Sequence, residues 1–179
     1  MAPEKLEKGL VSVFTGDGKG KTSTAIGIAS RAAGHDLKVY FAFFLKAGNY
    51  VHGERKSLAS LDNVKFESFG CEGWVDKNNI RPEDIEQAKK GFDASRNAML
   101  GGEYDVVIMD EVNMAVNLGL ISLDDMLKLI GEKPANVELI LTGRYADAKI
   151  IQAADVVTEM LMIKHPFNSG IQARRGIDY

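Results

Sequence analysis

The chain has 179 residues, 45% of them hydrophobic and 26% charged, which suits one globular domain with a sizeable core and excludes a disordered segment. A formal net charge of -3 and a pI near 5.7, with no lysine or arginine run, give no support for nucleic acid as the main partner. A single cysteine, Cys71, excludes an intramolecular disulfide, a charged Met1 to Gly9 is no secretory signal, and the longest apolar run, Val39 to Leu45, is too short for a bilayer. The expectation is a cytoplasmic protein with no membrane partner.

Leu10 to Phe14 is a short β-branched and aromatic run that meets a glycine-rich turn, after which Lys21, Thr22 and Ser23 open an apolar helical pattern. That layout is the strand, phosphate loop and helix of a P-loop. Gly16, Gly18 and Gly20 let the backbone turn its N–H groups toward an anion, and the helix N-terminus adds unpaired amides and the positive end of its dipole. Lys21 supplies a mobile point charge, and the Thr22 hydroxyl is a natural Mg²⁺ ligand. The strict motif places its first glycine where this chain has Thr15, so a loop starting at Gly16 is one residue short. A flexible linker would not be flanked by an apolar strand and a helix beginning Lys-Thr.

Helical spacing of Ala25, Ile28, Ala29 and Ala32 continues to Ala33, with Gly34 as the C-cap. Val39 to Leu45 reads as a strand covered on both faces, and the polar stretch Lys46 to Tyr50 behind it suits a ligand loop. Gly53 to Leu61 reads as a short helix and Val64 to Phe69 as a third strand. The loop Gly70 to Asp76 then carries Trp74, the only tryptophan; in a loop such a residue is more often a packing anchor than a ligand platform. Pro82 starts a long helix with Ile85, Ala88, Phe92, Ser95 and Met99 on one stripe.

Tyr104 to Glu111 is an apolar strand ending in the adjacent carboxylates Asp110 and Glu111, and open α/β sheets bind ligands at such strand ends. With a P-loop upstream, Asp110 or Glu111 is placed to hold Mg²⁺ directly or through water. A helix at Leu123 to Ile130, a strand at Val137 to Leu141 before Thr142-Gly143-Arg144, a helix at Ala146 to Ala154 and a strand at Val156 to Ile163 follow. Lys164 to Tyr179 reads as a loop. The alternation predicts a three-layer α/β P-loop fold with a mostly parallel central sheet of about six strands, in one domain spanning 1–179. His35, His52 and His165 are not at metal-ligand spacing, so no zinc site is expected.

Together these motifs resemble the ATP:corrinoid adenosyltransferases. The resemblance rests on T-G-D-G-K-G-K-T at Thr15 to Thr22, F-L-K-A-G at Phe44 to Gly48, G-E-R at Gly53 to Arg55, V-V-I-M-D-E-V-N at Val106 to Asn113, L-T-G-R at Leu141 to Arg144, and a tail from Ala154 to Tyr179. It covers nearly the whole chain, and the short loop looks like the family's own form. It implies that a corrinoid reduced to Co(I) attacks the 5′ carbon of ATP, forming an adenosyl–cobalt bond and releasing triphosphate. Co(I) is nucleophilic without a general base; what needs stabilising is charge on the departing triphosphate. By resemblance, Gly16, Asp17, Gly18, Lys19, Gly20, Lys21 and Thr22 grip the triphosphate, Thr22 and Glu111 hold Mg²⁺ (or Mn²⁺), and Asp110 supports that shell. Asn113 and Arg144 become candidates for nucleotide or corrinoid contacts.

The resemblance also implies a homodimer and an external reductant such as a reduced flavin carrier. Family members can carry an aromatic pair after the third strand that displaces the lower axial ligand of the corrinoid; Gly70 to Asp76 holds Trp74 as its single aromatic, so either Trp74 takes that role with a residue from elsewhere or the step differs here. A P-loop ATPase that hydrolyses the γ-phosphate, or a nucleotide-dependent regulatory switch, is the alternative reading of the same motifs.

Overall fold

The computed structural model describes residues 6–46 and 52–179. Six strands, β1 (Val11–Thr15), β2 (Val39–Phe44), β3 (Val64–Phe69), β4 (Val106–Asp110), β5 (Glu138–Thr142) and β6 (Val156–Glu159), form one sheet in the order β3-β2-β4-β5-β1-β6. Every neighbouring pair is parallel, so each link must cross back over a face of the sheet. The helices that make these crossings are α1 (Lys21–Ala33), α2 (Gly53–Leu58), α3 (Pro82–Leu100), α4 (Val112–Asn117), α5 (Leu123–Glu132) and α6 (Ala148–Ala153).

Strand residues alternate between two cores, as a period of two requires. Tyr40, Ala42, Phe44, Val107 and Met109 pack with buried residues of α3, α4, α5 and α6. Phe41, Phe43, Ile108 and Ile140 pack with Ala25, Ala29 and Ala32 of α1 and Leu58 of α2. Helices therefore lie on both faces, which is the expected three-layer arrangement, and the central strands β2 and β4 are buried along their whole length. Among the described residues no helix is long and apolar enough to cross a membrane.

Several boundaries differ from the expectation for identifiable reasons. β6 stops at Glu159 rather than Ile163, because the chain bends at Met160 over the glycine loop, where the Met160 carbonyl accepts the Gly18 N–H at 2.7 Å. Gly34 does cap α1, but with right-handed backbone (φ -65); the left-handed turn falls on Asp36 (φ 60). In α3 the buried stripe is Asp84, Ala88, Gly91, Ser95 and Met99, while Ile85 is 47% exposed. The cause is at the N-terminus, where the Arg81 guanidinium and backbone N–H both donate to Asp84 and draw it inward. α2 ends at Leu58 rather than Leu61, and α4 is a turn and a half of helix that the periodicity did not announce.

Two glycine-to-alanine changes in helices should have opposite signs. A Cβ on Gly91 would lie 2.8 Å from the Phe44 ring and 2.9 Å from the Phe69 ring, and Phe44 is fully buried. Overpacking of about 1–3 kcal/mol there outweighs the roughly 1 kcal/mol gained in helix propensity. A Cβ on Gly27 meets nothing within 4 Å. Urea denaturation should therefore show Gly91→Ala destabilised and Gly27→Ala stabilised, by about 0.5–1 kcal/mol in the second case.

Candidate active site

In an all-parallel sheet the C-terminal ends of the strands share one rim, and here that rim gathers the loops after β1, β2, β4 and β5. β5 lies between β1 and β4, so its terminal residue Thr142 stands between the phosphate loop and the acidic pair.

The phosphate loop is held by two constraints. Gly16 (φ +93) and Gly20 (φ +117) use backbone conformations that side chains disfavour. A Cβ on Gly16 would also lie 2.5 Å from the Met160 carbonyl oxygen, and one on Gly18 2.7 Å from the carbonyl oxygens of Met160 and Leu161. Lys21 differs from the expected mobile charge. It is 7% exposed, and its Nζ donates to the carbonyls of Gly16 and Gly18 at 2.7 Å each. Burial pushes its pKa down, Glu111, Asp17 and Asp110 pull it up, and Arg144 adds to the depression.

The acidic pair divides into two roles. Asp110 is fully buried, and both its oxygens are engaged: Oδ1 accepts from the Thr142 hydroxyl at 2.6 Å, Oδ2 from Lys46 Nζ at 2.7 Å. The same Thr142 oxygen accepts the Glu111 backbone N–H at 3.0 Å, which pins Glu111 in a left-handed conformation (φ 64). The Glu111 carboxylate makes no hydrogen bond among the described residues. Burial raises its pKa and the Asp110 charge adds to that, against Lys46, Lys21 and Arg144.

Arg144 Nη1 lies 3.9 Å from Asp17 Oδ1, joining the β5 end to the phosphate loop. Asn113 is 1% exposed, and neither polar atom of its amide has a partner among the described residues; it sits beside the backbone of Gly143, where a Cβ would be 3.2 Å from Asn113 Cβ. A cavity of about 570 Å³ opens next to this rim, lined by Phe44, Lys46, Cys71, Trp74, Glu111, Met114, Leu118 and Arg144 among others. Trp74 is 99% exposed at that cavity, so it is no packing anchor.

The rim thus brings together Gly16 to Thr22, Asp110, Glu111, Asn113 and Arg144, with Trp74 across the cavity. Sequence reasoning missed Thr142 as part of the site, although it ends an apolar run at a strand terminus, and met Lys46 only as the start of an expected ligand loop, not as a partner of Asp110. Of the expected ligand loop Lys46 to Tyr50, only Lys46 falls within the described residues. Among those residues no group of three or more His, Cys, Asp or Glu could hold a metal ion. Thr22, at the first turn of α1, and the Glu111 carboxylate carry oxygen donors of the hard type that suits Mg²⁺.

The sequence matches the family described as ATP:corrinoid adenosyltransferase BtuR/CobO/CobP over residues 7–179. It is similar to a corrinoid adenosyltransferase of Pseudomonas aeruginosa, 34% identical across 100% of this chain and 88% of that protein. A corrinoid adenosyltransferase of Escherichia coli K12 is 34% identical across 97% and 87%. Another from Salmonella typhimurium is 32% identical across 100% and 90%. Among solved structures, FlaH of Methanocaldococcus jannaschii superposes with a TM-score of 0.55 at 15% identity, over 86% of this chain and 72% of that one. EssC of Geobacillus thermodenitrificans, in the structure of its ATPases 2 and 3, gives 0.51 at 14% over 96% and 36%. These two likenesses establish the fold alone.

The raised Glu111 pKa has a thermodynamic sign. Below the ordinary carboxylate range Glu111 is protonated folded and unfolded, and no penalty arises; as pH rises from there through the elevated folded value, stability is lost. Without ligands, Glu111→Gln should therefore melt above the unsubstituted protein at pH 7.5, with the gap closing toward pH 4. Thermal denaturation at the two pH values checks this.

Proposed function

The chain belongs to the ATP:corrinoid adenosyltransferase family BtuR/CobO/CobP and transfers the 5′-deoxyadenosyl group of ATP to a corrinoid; we propose that Gly16 to Thr22 hold the triphosphate while the cavity beside Trp74 receives the corrin ring. The observation that carries this reading is that Arg144 belongs to both halves. It lines the cavity and faces Asp17 of the phosphate loop, and Glu111 is shared in the same way between the cavity wall and the acidic strand end. A corrinoid in the cavity and a polyphosphate on the loop are then adjacent, as attack on the carbon next to the triphosphate demands.

In this arrangement the loop amides and Lys21 take up the negative charge that accumulates on the departing triphosphate. Two of the three Lys21 N–H groups are taken by the Gly16 and Gly18 carbonyls, which leaves one to meet the triphosphate. Thr22 and Glu111 would hold Mg²⁺, or Mn²⁺, which supplies further neutralisation of the phosphates when bound. Asp110, with both oxygens committed to Thr142 and Lys46, serves by orienting Glu111 rather than by reaching the metal. No side chain needs to act as a general base, because the nucleophile is the reduced cobalt of the substrate. Asn113 would turn its buried amide to the nucleotide or the corrinoid. The enzyme works as one unit over 1–179, in the cytoplasm, as a homodimer, with a reduced flavin carrier or similar donor keeping cobalt reduced.

Products test the reading directly. Incubated with ATP, Mg²⁺ and chemically reduced corrinoid, the protein should yield inorganic triphosphate and an adenosylated corrinoid; ADP and orthophosphate would overturn it. Lys21→Ala should lower turnover by about 10²–10³-fold, through loss of leaving-group stabilisation. Its melting temperature should also fall by a few degrees, since two loop carbonyls lose their donor. Trp74→Ala should slow the reaction from Co(II) corrinoid with reductant more than the reaction from pre-reduced Co(I), measured by visible spectroscopy. Its full exposure predicts no loss of stability.

A further inference from the structure

The last residues of the tail have no part in the reaction described above, yet they reach the phosphate loop. Residues 174–179 close on themselves: the Asp178 N–H donates to the Arg174 carbonyl at 2.7 Å, and the Gly176 N–H to the Tyr179 carbonyl at 2.8 Å. Within this turn Asp178 Oδ2 accepts the Arg174 N–H at 2.9 Å and Arg174 Nε at 3.0 Å. Asp178 Oδ1 accepts from Lys19 Nζ. The Asp178 side chain is 7% exposed against 48% for Lys19, so a fixed carboxylate meets a solvated lysine. Lys19 and the Arg174 donors hold the Asp178 carboxyl well below the usual carboxylate range. The turn also touches α2: a Cβ on Gly53 would lie 3.7 Å from the Tyr179 carbonyl.

Lys19 stands between Gly18 and Gly20, inside the loop, so a polyphosphate on the loop and the Asp178 carboxylate compete for one ammonium. A carboxylate held by two donors from its own turn loses little entropy when the lysine arrives, which makes it a stronger competitor than a free surface acid. We infer that Asp178 is a positioning residue that draws Lys19 away from the triphosphate, so that the C-terminal turn sets how tightly the loop retains the departing inorganic triphosphate. This rests on the reading of Gly16 to Thr22 as the triphosphate site. It assigns the tail a role in product release, a step that a phosphate nest with every cation engaged would slow.

The experiment is calorimetric titration of inorganic tripolyphosphate with Mg²⁺ into the unsubstituted protein, Asp178→Asn, Lys19→Ala and the double variant, with steady-state kinetics on each. Asp178→Asn should bind tripolyphosphate about three- to tenfold more tightly, the range expected when one charge-assisted pair no longer competes. It should lower both KM for ATP and kcat. In the Lys19→Ala background the same substitution should change affinity less than about twofold, since the contested cation is gone. Unchanged or weaker binding by Asp178→Asn, or an equal effect in both backgrounds, would overturn the inference while leaving the triphosphate site standing. If the unsubstituted protein binds no tripolyphosphate, both fall. Lys19→Ala tests the pair from the loop side should Asp178→Asn melt early, because the inference requires it to weaken tripolyphosphate binding much less than Lys21→Ala does.

Discussion

A carboxylate with no access to water governs the geometry of the cleft. Asp110 is fully buried, and an uncompensated charge in that position would cost several kcal/mol, on the order of what breaking a buried pair costs. Its compensation comes from two other strand ends, Lys46 after β2 and Thr142 of β5. Three strands that enter the sheet far apart in the chain are therefore tied at one rim by one charge. Thr142 passes the constraint on, since the oxygen that donates to Asp110 also receives the Glu111 N–H and keeps that residue in a conformation it would not adopt alone. Glu111, the proposed metal ligand, is thus placed by its neighbour in the sequence, acting through a threonine on another strand.

The phosphate loop is under a second, steric constraint. Its glycines are usually explained by the anion they embrace, but here Gly16 and Gly18 also leave room for the backbone of Met160 and Leu161. The loop proposed to hold the triphosphate is therefore bounded on its other side by the segment leaving β6. Lys21, turned onto the carbonyls of Gly16 and Gly18, braces the same loop from beneath.

The fold was largely legible because its signals are strong and local. Continuous apolar runs marked β2 and β4, which are buried on both faces, and the glycine turn before Lys21 marked the start of α1 within a residue or two. The acidic pair and Arg144 were legible as ends of strands. What escaped depended on contacts across long stretches of chain. Asp84 displaced Ile85 from the core because Arg81 folds back on it, a side-chain event that periodicity cannot see. Thr142 looked like an ordinary strand terminus, and Lys46 like the first residue of a ligand loop, until the register of β2, β4 and β5 put them around Asp110. Nor could composition show that Trp74 would stand fully in solvent, since the same residue in the same loop would have satisfied a packing role.

β6 pairs with β1 alone and is exposed along its length, whereas the strands that carry the acidic pair are sealed on both sides. Yet it is β6 that leads into the wall behind Gly16 and Gly18. Cooperative units at the margin of a structure open at lower free energy than its centre. On the proposed reading, grip on the triphosphate is tied to an exposed edge strand, so gentle warming would disarm the enzyme while the middle of the sheet still stood intact.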